Sequence, residues 1–487
     1  MATSGPGATN LITAIASNWY DSVPVIYLTG QVRTWELSSG RQRQKGFQET
    51  DVVGMVKAIT KYAVRVDHES DIPDAIHNAI TLANTGRPGP VLIDLPMNIQ
   101  WGEINAIQRS FEPEAPMGRR FDFSAVWAAL EKATRPCIVI GQGARDGGAY
   151  EHALCFAERY KIPVVTGFAG KDVVPCASPV SVGMLGTMGT GVGNEAVHNA
   201  DLLIVTGARL SWRQIRSSPE NFAKQAYIIH VDVDENELNA NVQADLAFNM
   251  SCKSFWAGLT GGMGHAGISF DDYTKRLKEK SITKFSISSQ SNDETGWNPY
   301  FFLNILSDKA ASDAIFVLDT GQNLVWAIQT IESTGKRRFI SSWGHSPMGY
   351  SIAAVLGASE KAVEGRQVIC LIGDGGLQMN IQELQTIKNY NLQVKVIVLN
   401  NKSLGAIKEF QDDNFESNYF ATDERYGYSS PSFFKIAQSY GIGGRKIDAQ
   451  SSAIEDAVED YLQSKDVLLE VELSQLIKMQ LSLESYN

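Results

Sequence analysis

Residues 367–401, QVICLIGDGGLQMNIQELQTIKNYNLQVKVIVLNN, leave few folds open. Gln367–Ile372 and Val394–Leu399 are short apolar runs, read as parallel strands buried on both faces. A helix is expected between them, from about Met379 to Lys388. Asp374 and Asn401 follow the two strands, 27 residues apart, a span that suits one βαβ crossover. Their side chains are therefore expected at one edge of the sheet. A carboxylate, an amide oxygen and a nearby backbone carbonyl are hard ligands suited to Mg²⁺ or Ca²⁺. Gly375 and Gly376 would let backbone N–H groups approach a diphosphate at the helix N-terminus. The plainer alternative is a helix cap at Asp374 and a turn at Asn400-Asn401; the two motifs together at this spacing favour a site.

The same grammar recurs along the chain. At 487 residues it exceeds one hydrophobic core, and three α/β blocks are expected, at 1–112, 119–274 and 298–487. The first carries apolar runs at Val25–Leu28 and Val91–Ile93 and a helical period over Ile72–Ala83. Arg109–Arg120 reads as a linker. The second block has strands at Cys137–Ile140, Val164-Val165, Leu202–Val205 and Tyr227–Asp232, as in a Rossmann-like sheet. Its glycine turns Gly141-Gln142-Gly143 and Gly207-Ala208-Arg209 could cradle a phosphate or could be tight βα turns. A polar stretch, Lys278–Pro299, precedes the third block. There Ile315–Asp319 runs into Thr320-Gly321-Gln322, a third polar motif at a strand end, where open parallel sheets bind ligands.

Composition narrows the classes of function. Net charge is −11 with no long basic run, which argues against nucleic acid. No apolar run would span a membrane and no secretory signal is visible. Five scattered cysteines without a C-x-x-C pair suggest reduced thiols and a cytoplasmic location.

G-D-G followed by N-N at this interval resembles the signature of thiamin-diphosphate (ThDP) enzymes, and the surrounding sequence resembles acetolactate synthase. The likeness covers nearly the whole chain, through SGPGATN, SVPVIYLTGQV, GRPGPVLIDLPMNIQ, DLLIVTGARL and IIHVDVDENEL. It implies an α/β fold of three consecutive Rossmann-like parallel-sheet domains: a pyrimidine-binding domain, incomplete here, a central domain and a pyrophosphate-binding domain. It implies ThDP and Mg²⁺ as cofactors. Asp374, Asn401 and the Ser403 carbonyl would hold the metal. Gly321, Gln322 and Asn323 would contact the diphosphate, with Gly373, Gly375 and Gly376 beside it. Met348 would be the bulky residue beneath the bent cofactor, and the Ser346 carbonyl would accept from its amino group. Pro6, Gly7 and Asn10 match the turn that touches the pyrimidine. Phe47, Gln48 and Lys61 match positions at the substrate cavity of a neighbouring subunit, although Lys61 could equally be a solvated surface lysine. The implied reaction is decarboxylation of a 2-oxo acid such as pyruvate, with transfer of the two-carbon unit to a second carbonyl compound. The implied assembly is a homodimer or homotetramer.

Some positions depart from that pattern. Phe410 stands where the family usually has a tryptophan that helps select the acceptor, and Asn323 where it often has histidine. The loop with Trp35, Arg41 and Arg43 is unusually polar and basic, which would suit a bulkier or anionic acceptor or equally a plain solvated loop; a keto-sugar is the alternative substrate. Arg209 fits the pattern of a non-redox FAD site, but the residues after it do not continue the pattern. Family members carry a glutamate one strand before S-G-P-G-A-T-N, and only Met1-Ala2-Thr3 precede Ser4 here. A truncated first domain, low stability and weak activity are expected on that basis. A silent ThDP-binding protein and a nucleotide-dependent oxidoreductase are the other readings.

Overall fold

The computed structural model describes residues 1–40, 42–104, 122–215, 219–261, 267–281, 292–361, 365–449 and 451–480. Arg41 and the expected linker at Arg109–Arg120 lie outside the described residues. The chain divides into two compact units, Met1–Arg120 with Ser342–Pro347, and Phe121–Ser341 with Met348–Asn487.

The first unit holds three parallel strands, β1 (Ile26–Gln31), β2 (Tyr62–Arg65) and β3 (Val91–Pro96), in the order β1-β3-β2. Central β3 is buried from Val91 through Asp94, as its unbroken apolar run requires. The helix Ile72–Asn84 presents Ala75, Ala79 and Ala83 at i, i+4 and i+8 to Val91 and Ile93. Ala2 pairs beside β1 at Thr29. Ser4–Asn10 forms the expected turn, with a short helix at Pro6–Thr9. Gly5 has φ +63°, and a Cβ there would meet Gln48 Cβ at 2.8 Å.

The second unit contains two six-stranded parallel sheets. One comprises β4 (Pro136–Ile140), β5 (Val164–Thr166), β6 (Ser181–Met184), β7 (Leu202–Thr206), β8 (Tyr227–Asp232) and β9 (Leu246–Asn249). Its order, β6-β5-β4-β7-β8-β9, is that of a doubly wound dinucleotide fold. Both faces are covered: Ile138, Phe156 and Trp256 pack on one, Val139, Val205 and Leu277 on the other. A two-residue ribbon, β10 (Asn292–Asp293) and β11 (Gly296–Trp297), precedes the last sheet. That sheet comprises β12 (Ile315–Leu318), β13 (Arg338–Ile340), β14 (Val368–Gly373), β15 (Lys395–Asn400), β16 (Gly444–Ile447) and β17 (Leu468–Glu472), ordered β13-β12-β14-β15-β17-β16. The winding reverses between β12 and β14, which opens a crevice beyond their carboxyl ends.

The helix expected at Met379–Lys388 is two helices, Asp374–Met379 and Glu383–Asn389. Asn380 leaves the helical region (φ −135°, ψ 35°) and its amide donates to the Gly349 carbonyl at 3.1 Å. The two glycine turns of the central sheet pack backbone to backbone. Gly143 N–H donates to the Gly207 carbonyl at 3.0 Å, and a Cβ on Gly141 would lie 2.1 Å from that oxygen.

Candidate active site

The β12–β14 crevice gathers the polar motifs. Gly321 (φ +94°) caps the helix Gln322–Thr330, and Gly373 caps the helix Asp374–Met379. Two helix N-termini therefore open at the switch point, each with backbone N–H groups that lack intrahelical acceptors. Asn323 stands between them: its Nδ2 donates to the Thr320 carbonyl at 2.5 Å and lies 3.2 Å from where a Gly373 Cβ would stand. Its Oδ1 is buried without a hydrogen-bond partner, an acceptor that a bound water or ligand donor would satisfy.

Asp374 is the first residue of its helix and not the cap. Its carboxylate is buried and accepts from Tyr428 Oη at 2.9 Å. Desolvation pushes it up to about 7, against the opposing pull of Tyr428 and of the Gly375 and Ser403 N–H groups. An adjacent cation would restore the ionised form. The Ser403 contact brings the β15 loop to Asp374. Asn401 is buried there, and its Nδ2 donates to Gln322 Oε1 at 2.9 Å. Gln322 Nε2 in turn donates to Glu409 Oε1 at 2.7 Å. Asn400, although adjacent, faces structure: it binds Glu470, Lys402 N–H and Ser430.

Glycines keep this ground open. A Cβ on Gly376 would lie 2.7 Å from Asp319 Oδ1, and one on Gly375 would lie 3.0 Å from the Met348 methyl. Met348 is half-buried against that turn. The structure thus brings Gly321, Gln322, Asn323, Met348, Gly373, Asp374, Gly375, Gly376, Asn401 and Ser403 into one neighbourhood. Phe410 follows Glu409 on the helix Gly405–Asn414, 57% exposed and in edge contact with Phe415.

The remaining expected residues belong to the first unit. Pro6 and Asn10 are exposed on the opening turn, with Gly7 half-buried beside them. Gln48, at φ +64°, leans on Gly5, while neighbouring Phe47 is 86% exposed. Lys61 donates to the carbonyls of Thr85 and Arg87 (2.8 Å for the latter), tying down the end of a helix. Ser346 also belongs to this unit, at φ +58°, with its N–H donating to Ser342 Oγ at 3.2 Å.

Three further residues support the site, two of them with no signal in the local sequence. Tyr428 holds Asp374 from 54 positions away, Glu409 holds Gln322, and Asp319 holds the loop after Met348. Asp319 alone had a hint, as a polar residue ending an apolar strand. Among the described residues no three His, Cys, Asp or Glu side chains converge as a metal cluster. Any cation here would rely on the mixed oxygen set of one carboxylate, one amide and one carbonyl.

Comparison with known proteins agrees with this topology. Residues 1–55 match the N-terminal TPP-binding domain of thiamine pyrophosphate enzymes, 123–259 their central domain and 319–471 their C-terminal TPP-binding domain. The acetolactate synthase large subunit of Lactococcus lactis is 33% identical, over 97% of this chain and 81% of the relative. A probable acetolactate synthase large subunit of Methanocaldococcus jannaschii is 34% identical, over 97% and 80%. The isozyme 2 large subunit of Escherichia coli is 32% identical, over 98% and 84%. The chain therefore belongs to the thiamin-diphosphate enzymes, among the relatives of acetolactate synthase large subunits.

Proposed function

We propose that the protein decarboxylates a 2-oxo acid, pyruvate being the simplest, and joins the two-carbon unit to a second carbonyl compound. The observation that carries this reading is the convergence of Asp374, Asn401 and the Ser403 backbone with two capped helix N-termini at one switch point. ThDP, when bound, supplies the electron sink that lets the 2-oxo acid lose carbon dioxide. The residues fit it. Asp374, Asn401 and the Ser403 carbonyl would hold Mg²⁺, which offsets the repulsion between a diphosphate and a buried carboxylate. Gln322, Asn323 and the N–H groups beyond Gly321 and Gly373 would orient the diphosphate. Met348, backed by Gly375, would support the body of the cofactor.

The first-unit residues Pro6, Gly7, Asn10 and Ser346 are assigned to the pyrimidine end, and Phe47, Gln48 and Lys61 to the substrate side. Lys61 is the weakest of these, because its ammonium already serves two backbone carbonyls. An FAD on the central sheet has less support. Gly141 and Gly207 spend their small size on each other and not on open room for a ligand. A homodimer or homotetramer is the proposed assembly. The five cysteines are all free thiols, in keeping with a reducing, cytoplasmic compartment. No helix among the described residues is long and apolar enough to cross a membrane.

A keto-sugar acceptor is the second reading. Phe410 favours it, because a benzyl ring is smaller than an indole and leaves more room for a bulkier acceptor. The test is mass spectrometry of products from labelled pyruvate with a panel of acceptors. Labelled acetolactate supports the first reading, an acetyl-extended sugar the second, and no release of carbon dioxide contradicts both.

A further inference from the structure

A cavity of about 470 Å³ lies between the central sheet and the last sheet, away from the switch-point crevice. Lys171, Lys278, Lys280, Thr330 and Glu332 are among its lining residues. It adjoins the C-terminal end of the helix Gln322–Thr330, whose N-terminal end carries Gln322 and Asn323. Eight residue steps separate those ends, or about 12 Å at ~1.5 Å per residue.

The charges around it do not balance. Lys280 is neutralised by Glu195 at 2.5 Å. Lys171 is buried, yet among the described residues its ammonium donates only to the Ile328 carbonyl, and the Phe339 ring lies 5.7 Å away. Lys278 donates to the carbonyls of Cys176 at 2.7 Å and Ser181 at 3.0 Å. Arg337, buried close by, donates to the carbonyls of Ser307, Ala310, Ala311 and Glu332 and to Ser307 Oγ. None of these three cations forms an ion pair among the described residues. Asp172 cannot help Lys171, because Arg145 at 2.5 Å and Arg338 at 2.9 Å already occupy its carboxylate. Among the described residues, Glu332, exposed at the rim, offers its negative charge to Lys171, Lys278 and Arg337, and Asp308 acts on Arg337 as well.

Burial of a cation without a counter-charge is costly. Here desolvation brings the Lys171 ammonium down to about 8, which still leaves it charged at neutral pH. The cavity wall also presents Thr330 Oγ1, buried and without a hydrogen-bond partner. Excess positive charge, an unmet hydroxyl and room for a small molecule occur together.

We propose that this cavity binds a small dianionic oxoanion, a phosphate or a dicarboxylate, through Lys171, Lys278 and Thr330. The volume excludes a macromolecular partner. The test is calorimetric titration of the protein, its active site filled by excess ThDP and Mg²⁺, with inorganic phosphate and, separately, with succinate. Saturable binding in the millimolar range or tighter is expected for at least one probe, weakened about tenfold or more in Lys278→Met. Binding of phosphate alone assigns the site to phosphates, of succinate alone to carboxylates, and of both to oxoanions in general. Should Lys278→Met fail to fold, as judged by thermal melting, Thr330→Val takes its place with a severalfold loss expected. Absence of saturable binding by either probe, or affinity unchanged in the folded variant, overturns the proposal.

Discussion

Asp319 Oδ1 accepts the backbone N–H of Gly349 at 3.1 Å, at the carboxyl end of β12. Its Oδ2 takes both the N–H and the hydroxyl of Ser351, at 2.9 and 3.0 Å. One buried carboxylate thus fixes the loop that carries Met348 over Gly375. Asparagine keeps one acceptor and turns a donor toward these donors. Asp319→Asn should cost roughly 2–4 kcal/mol of stability and weaken ThDP binding about tenfold. Denaturant titration and ThDP calorimetry check both effects; a variant as stable and as tight-binding as wild type contradicts the assignment.

Glu409 joins two segments, accepting Gln322 Nε2 and the Met479 N–H, each at 2.7 Å. Glu409→Ala should free Gln322 from one partner and leave the Met479 region more accessible. The expected outcome is faster proteolysis near Met479 together with weaker ThDP binding. Unchanged digestion and unchanged affinity would remove Glu409 from the supporting set.

Asp94 supplies a pH dependence. It is buried within β3, with Thr29 Oγ1 at 2.6 Å and Gln31 Nε2 at 3.0 Å. Burial nevertheless pushes it up to about 6 from an ordinary 3.8. The folded state therefore binds this proton more tightly than the unfolded state. Its contribution is most favourable below pH ~4 and is lost as pH rises through about 6, by roughly 3 kcal/mol in all. The wild-type minus Asp94→Asn difference in unfolding free energy should fall over that window and stay flat above it. A flat difference from pH 4 to 7 contradicts this.

Much of this fold was legible in the sequence, for a physical reason. Strands buried on both faces, such as Leu202–Thr206 and Val368–Gly373, must be apolar throughout. The strands that escaped reading are mostly edges, such as Arg338–Ile340 and Gly444–Ile447, where one side needs no apolar run. Leu468–Glu472 is interior but carries Glu470, whose buried carboxylate is matched by Asn400 and the Phe434 N–H, a compensation invisible locally. The site divides in the same way. Asp374 and Asn401 are readable because they end strands, whereas Tyr428 and Glu409 arrive from loops and helices whose approach depends on tertiary packing.

Phe410 tests acceptor choice. Its ring is exposed beside Phe415, so Phe410→Trp adds bulk and an N–H donor with little cost to packing. The ratio of products from two competing acceptors should change severalfold at unchanged stability. An unchanged ratio would remove this residue from substrate selection.

The central claim is that Asp374 and Asn401 hold ThDP through a divalent cation. Calorimetry of ThDP binding to wild type and Asp374→Ala, each with Mg²⁺ and with chelator, tests it most directly. The account predicts tight binding by wild type in Mg²⁺, a loss of about a hundredfold or more on chelation, and no Mg²⁺ response in the variant. Equal ThDP affinity for wild type and Asp374→Ala in Mg²⁺ would contradict it.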